Sequence, residues 1–397
     1  MNINKNTLFD FAVPMPQLVD DIAEIGHKWT IIMQGGMGWG KTESLNLLKQ
    51  KPALKDHEFI YIDGTTKSDS GDFYMIKYSD TGETFTTVPH EELGMHLEQL
   101  GKHVVLFFDE IGKMPRSAFN AILRILYERK TANGLKLSDK SIVYAATNMA
   151  AEGLGDVLQA HSRNRCRVAT VSVPTKMEWL QWAITNAVHE FVIGYANDNN
   201  FIFKSFLEHN LDAQGNSEHP EIYDPRTPEP PVAFVTGRSL AHASDYFHLY
   251  DERVASAVSG GHFSQDVEKS MKHNLKCQLA GVVGPKAATD MLTYFSLQKD
   301  LPTEEDIINT PMTAKIPKGG AARALLMARS LKNMRKELAA PWMKYLMREG
   351  AGEFTKVDQA VFGMGANVKG YHATKILARN EQYQKWAEEN VILFGKA

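Results

Sequence analysis

Five near-continuous apolar runs punctuate the first 175 residues: Trp29–Gln34, Phe59–Asp63, Val104–Asp109, Ser141–Thr147 and Val168–Val173. Runs of this kind, rather than a clean alternation, predict strands covered on both faces. Between them the apolar positions move to three- and four-residue spacing. In Ser117–Arg129, Ala118, Phe119, Ile122, Leu123 and Leu126 share one side of a helix. Strands separated by helices predict a parallel sheet, an α/β fold. From Thr175 onward the pattern is helical, with few strand signals. It is interrupted by a loop rich in Pro, Asp and Asn (Leu211 to Pro231) and by Thr313–Gly320; Thr303 followed by Asp306 reads as a capping box. The expected organisation is an α/β domain over 1–175, a helical domain over 176–312 and a helical extension over 313–397. Two inserts interrupt the first part. One, near 74–88, has two β-prone runs around Ser-Asp-Thr-Gly; the other, near 128–140, has Asn133-Gly134, which suits a type I′ turn. Each is either a plain surface hairpin or a working element.

Composition narrows the class. The chain has 397 residues, 43% hydrophobic and 23% charged, which is ordinary for a folded soluble protein and excludes disordered, collagen-like and disulfide-scaffold readings. That length predicts more than one core. No apolar run approaches the roughly 18 residues of a membrane helix, and the N-terminus lacks a signal-peptide layout, so a cytoplasmic protein without membrane contact is expected. In a reducing compartment Cys166 and Cys277 are expected to be free thiols. A net charge of −3 argues against whole-molecule attraction to nucleic acid, though a local basic surface stays open.

The chemistry concentrates in three places. Gly35–Thr42 reads GGMGWGKT, a G-x-x-x-x-G-K-[ST] phosphate loop placed after an apolar run and before a helical stretch starting at Glu43. Gly35, Gly36, Met37, Gly38, Trp39 and Gly40 would present backbone N–H groups to phosphate oxygens, helped by the following helix end. Lys41 would reach the β- and γ-phosphates, and Thr42 would ligate Mg²⁺. The spacing excludes a dinucleotide G-x-G-x-x-G, because the third glycine would fall on Lys41. Next, VVLFFDE (Val104–Glu110) ends a buried strand in two carboxylates. Asp109 would hold Mg²⁺, and Glu110 would orient and deprotonate a water. Third, IVYAATN (Ile142–Asn148) ends in an amide that would lie between the first two motifs and position water or sense the γ-phosphate; otherwise Asn148 is a turn residue.

Together these residues resemble the AAA+ ATPases, and more narrowly their MoxR-like branch of bacteria and tailed phages. Asp109–Lys130 is similar to that branch's segment after its acidic pair. The likeness continues through SRNRC (Ser162–Cys166), WLQWA (Trp179–Ala183), TGRSL (Thr236–Leu240) and Gly281–Pro311, and thins after about Lys315. The resemblance implies a five-stranded parallel P-loop core followed by a helical lid. It puts Asn148 at the sensor-1 position, Arg165 at the arginine-finger position with Arg163 as the neighbouring candidate, and Arg238 at the sensor-2 position. A finger of this kind acts in the adjoining subunit's site. Trp39 and the pair Gly112-Lys113 depart from the usual pattern.

The resemblance further implies Mg²⁺-dependent ATP hydrolysis by a ring, usually a hexamer. Such a ring remodels or activates a protein partner, often a von Willebrand factor A-domain protein. A nucleic-acid motor or loader is the alternative, favoured by the basic stretch Lys315–Arg348. A monomeric P-loop kinase is a third reading, which leaves Asn148, Arg165 and Arg238 without roles. The Trp179–Trp182 pair is expected in a helical core. With no H-E-x-x-H or C-x-x-C spacing, no protein-ligated zinc is expected, and no G-x-S-x-G elbow is present.

Overall fold

A computed structural model describes residues 11–149, 164–227, 233–298, 301–348, 354–368 and 371–390. The chain divides into two compact units, residues 1–174 and 175–397.

The first unit contains β1 (Ile31–Gly35), β2 (His57–Asp63), β3 (Tyr74–Tyr78), β4 (Phe85–Pro89), β5 (His103–Asp109), β6 (Ile142–Asn148) and β7 (Arg167–Thr170). Five of them form one parallel sheet in the order β2-β5-β6-β1-β7. All five expected strands are therefore present, and their apolar runs are continuous because both faces are covered. Ile32, Leu106, Phe108, Val143 and Ala145 point to one side, against the helix α4 defined below. Ile31, Met33, Val105, Phe107, Tyr144 and Ala146 point to the other, where Phe107 stacks on Tyr144 at 4.4 Å. There they meet α1 (Met15–Ile25) and Leu48 of α2 (Ser44–Lys49). After α3 (Met95–Gln99) comes α4 (Arg116–Glu128), which buries Ala118, Phe119, Ile122, Ile125 and Leu126. Leu123, expected on that face, is only half-buried. The sheet, its helical layers and the helices that follow match the expected architecture.

Both inserts form turns, but of different kinds. β3 and β4 pair antiparallel from Tyr74↔Pro89 to Tyr78↔Phe85, a hairpin as expected. Around Asn133-Gly134 there is a single Lys130↔Lys136 bridge rather than two strands. A type I′ turn would need positive φ at two adjacent residues, and here only Gly134 has it (φ 90°). Thr131 N–H instead donates to Leu135 O at 2.9 Å, closing a three-residue loop with glycine at its left-handed position.

The second unit is helical throughout its described core. Trp179, Leu180, Leu240, Phe247 and Leu279 share one buried cluster with Leu325, Trp342, Phe362 and Trp386, so the residues expected as an extension, 313–397, pack into the same core as 176–312. Trp182 lies against it half-buried. Among the described residues no helix is long and apolar enough to cross a membrane. Cys166 is buried and Cys277 exposed, and both are free thiols.

Candidate functional site

Parallel pairing brings the C-terminal ends of β1, β5 and β6 to one edge, with Gly35 opposite Asn148 and Asp63 opposite Asp109. This is where α/β sheets place their ligands. After β1 the chain turns through Gly36–Glu43, using positive φ at Gly38 (74°) and Gly40 (84°), before α2 begins at Ser44. A side chain at Gly35 would meet Val171 at 2.9 Å and the Trp39 ring at 3.3 Å. Trp39 thus folds against the base of the loop and the sheet, which shows how the loop accommodates so large a residue. With α2 only six residues long, the loop's own amides carry more of the expected anion-binding capacity than a helix end does. Glu43 faces away and accepts from Asn46 Nδ2 at 2.9 Å.

Lys41 is buried, and its ammonium donates to Gly35 O (2.8 Å), Gly36 O (2.9 Å) and Asn148 Oδ1 (2.9 Å). Asn148, also buried, donates through Nδ2 to Glu110 Oε2 at 2.9 Å. Only one amide orientation serves both neighbours, since an ammonium can only donate and a carboxylate only accept. The amide at the end of β6 therefore joins the phosphate-loop lysine to the acidic pair, the intermediate position expected for it. Thr42 Oγ1 donates to Asp109 Oδ2 at 2.7 Å, a hydroxyl and a carboxylate side by side, the donor set of a hard divalent cation.

Asp109 is buried, and burial pushes its carboxyl above the usual range, against the opposing effect of donation from Thr42 and the Glu110 amide. A cation there would reverse that tendency. Glu110 has φ 51°, the left-handed region that a glutamate occupies only when its surroundings hold it there. The backbone packs closely at this point: a Cβ on Gly64 would sit 2.8 Å from the carbonyl oxygens of both Asp109 and Glu110.

Two neighbours have no site role in the sequence reading. Tyr61 OH donates to Asp109 Oδ2 at 3.4 Å, and burial, then Asp109, pushes the phenol up to about 12. Its position follows only from the β2–β5 register, Tyr61 opposite Phe107, which puts Asp109 on the diagonal. Lys113 Nζ lies 3.3 Å from Glu110 Oε2 across a single helical turn, a contact that three-residue spacing could have suggested.

The expected arginines are not gathered at this edge by the described contacts. Arg165 is exposed, with its guanidinium 5.3 Å from the centre of the Tyr127 ring. Arg163 lies outside the described residues. Arg238 is exposed in the first turn of the helix Gly237–Ser259, whose start is fixed by a Thr236/Ser239 capping box. In the basic stretch, Arg323 pairs with Asp358 (2.7 Å), Arg329 with Glu190 (2.8 Å), and Arg335 with Glu304. Three of the nine basic side chains of that stretch are thus matched within the helical unit.

No family model matches the chain, and no curated protein matches it. Among solved structures it is similar to NtrX from Brucella abortus, at 16% identity over 58% of this chain and 48% of that one, with a TM-score of 0.32. It is also similar to the Holliday junction branch migration motor RuvB of Thermotoga maritima (13% identity, 85% of this chain, 89% of that one, TM-score 0.35). A third is an ATPase, itself described from Cytophaga hutchinsonii only by presumed function (13%, 71% and 81%, TM-score 0.32). The chain spans about half the length of NtrX. At these identities and scores, function has to be read from the chain's own residues.

Proposed function

We infer that this chain is an ATP hydrolase of the AAA+ kind, with the MoxR-like branch as the family it fits best. The observation that carries the reading is the linkage of Lys41 to Glu110 through Asn148, beside the Thr42–Asp109 pair. In this reading the loop amides and Lys41 bind the triphosphate, and Lys41 gives up one or more of its present acceptors to do so. Glu110, oriented by Asn148, accepts a proton from the attacking water. Thr42 and Asp109 hold Mg²⁺, which when bound supplies charge neutralisation on the phosphate oxygens. Arg165 or Arg163, offered by a neighbouring subunit, and Arg238 on the lid complete the charge stabilisation, so the working form is a ring, a hexamer on the family's pattern.

The client in this reading is a protein, with a von Willebrand factor A-domain protein as the candidate the resemblance supplies. The β3–β4 hairpin supports a protein over a nucleic acid: it exposes Met75, Ile76, Tyr78 and Phe85, and its charges are Lys77 against Asp80 and Glu83. The internal pairing of Arg323, Arg329 and Arg335 weakens the nucleic-acid alternative.

Lys41→Ala is expected to abolish nucleotide binding, whereas Glu110→Gln should retain ATP and stall turnover, both read by equilibrium binding and phosphate release. Sizing the protein with and without a slowly hydrolysed ATP analogue tests the ring. Wild-type turnover by Glu110→Gln would overturn the assignment of the base, and a salt-sensitive rise in ATPase with DNA or RNA would favour a nucleic-acid motor.

A further inference from the structure

Apart from the nucleotide edge, three metal-ligating side chains meet in the irregular part of the helical unit. His209, Glu218 and His219 each offer a ligand atom, and these atoms lie within 4.8 Å of one another. The sequence separates His209 from the other two, and the fold closes that gap with a small ribbon. Leu211 and Ser217 form an antiparallel bridge around a turn held by Asp212, whose Oδ1 accepts from Gln214 N (2.9 Å) and Asn216 N (2.8 Å). Glu218 N–H donates to Asn210 O at 3.2 Å, which sets Glu218 beside the residue that follows His209.

The scaffold fixes each ligand. The His209 carbonyl accepts from Arg226 NH2 at 3.0 Å, and Arg226 is itself anchored on the buried Asp224. The His219 ring stacks on Phe201 with centroids 4.2 Å apart and meets the His209 ring edge-on at 5.2 Å. Asn210 donates to both Glu218 oxygens, from N at 3.1 Å and from Nδ2 at 3.3 Å, the outer hydrogen bonding that orients a ligating carboxylate.

A second observation points to a ligand. The His209 side chain is 1% exposed, and its Nε2 is buried without a hydrogen-bond partner among the described residues. Its Nδ1 stands 3.8 Å from Glu218 Oε1, beyond hydrogen-bond length. A buried imidazole ordinarily donates through one nitrogen and accepts through the other. Metal ligation through Nε2 would supply the partner that the described residues do not.

We propose that His209, Glu218 and His219 bind one Zn²⁺ ion, with the fourth position open to solvent. Two imidazoles and a carboxylate suit zinc, whereas Mg²⁺ prefers oxygen ligands and would not compete at this site. Burial lowers the His209 pKa, and hydrogen bonds from Asn210 lower that of Glu218, in each case the direction that favours the ligating form. The ion would fasten a segment that has little regular secondary structure of its own, independently of the nucleotide reading.

The test titrates Zn²⁺ into the full chain, stripped of metal, against a chromophoric chelator in excess Mg²⁺. Co²⁺ serves as a visible-absorption probe of tetrahedral nitrogen and oxygen ligation. One site per chain is expected, with affinity lowered at least ~10-fold by Glu218→Gln and by His219→Gln and unaffected by Asp109→Asn. At equal concentration, Zn²⁺ should raise the Tm of the wild type more than that of Glu218→Gln, a conservative change at an exposed position that leaves the fold intact. Absence of a one-to-one site, equal affinity in both variants, or loss of the site in Asp109→Asn would each overturn the proposal.

Discussion

Asn148→Ala is the perturbation most directly aimed at the geometry of the candidate site. It removes the acceptor of one of Lys41's hydrogen bonds and the donor that holds Glu110. Each is a hydrogen bond to a charged group, worth ~1.5–3 kcal/mol. Because the two share one amide they do not simply add, and a combined loss of about 2–4 kcal/mol is the reasonable span. If the orientation of Glu110 matters chiefly in the transition state, this reduces kcat ~30- to ~900-fold. Nucleotide affinity should fall far less, since Lys41 keeps two carbonyl partners and its charge. Asn148→Asp separates the two contacts. It offers Lys41 a stronger acceptor but places a like charge beside Glu110, so it should weaken ATP binding as well as turnover. Steady-state phosphate release and equilibrium binding of a fluorescent ATP analogue, on variants shown to be folded by circular dichroism, read both quantities. If Asn148→Ala keeps wild-type kcat, the bridge plays no part in catalysis and Asn148 is only a strand-end residue.

Asp109→Asn should stop turnover yet raise the apo protein's stability at pH 7 by roughly 0.5–2 kcal/mol, the size of a typical stabilising substitution. The sign follows from the raised carboxyl pKa: its stabilising contribution is present below the unfolded-state value and is lost as pH rises through the folded-state value. Thermal melts of both proteins between pH 4 and pH 8, a window of about this width being set by ordinary carboxyl values, should therefore diverge as pH rises; parallel curves would contradict the burial argument. Arg165→Ala removes an exposed cation–π contact worth about 0.5–1 kcal/mol, so Tm should barely move while turnover falls ~10³-fold. Mixing it with Lys41→Ala should restore activity, and unchanged turnover would pass the finger role to Arg163. Gly64→Ala would push a methyl group into the Asp109 and Glu110 carbonyls, costing about 1–3 kcal/mol, with a fall in kcat larger than the fall in nucleotide affinity.

The α/β core was legible because it is written in local and periodic signals. Strands covered on both faces need continuous apolar runs, and α4 needs its three- and four-residue spacing. The glycines of Gly35–Gly40 record backbone turns that other residues resist. The place of Asn148 at a strand end was legible, and the strand order, with β6 between β1 and β5, puts that end between the two motifs. Some details were not local. Ile125 is fully buried on the sheet-facing side while Leu123 packs there only half-buried, and the turn at Gly134 has one left-handed residue instead of two. Residues 313–397 looked separable because the chain breaks at Thr313–Gly320, yet Trp342, Phe362 and Trp386 bury themselves with Trp179 and Leu240.

By itself the sequence determined the sheet, its order of helices and strands, and the phosphate-loop, acidic and amide motifs, because each depends on neighbours a few residues away. Tertiary structure alone decided that Tyr61 flanks the acidic pair, that Arg323, Arg329 and Arg335 are paired, and that His209 meets Glu218 and His219. Those contacts depend on register and on the packing of distant segments. No residue type or spacing records such geometry until the chain has folded.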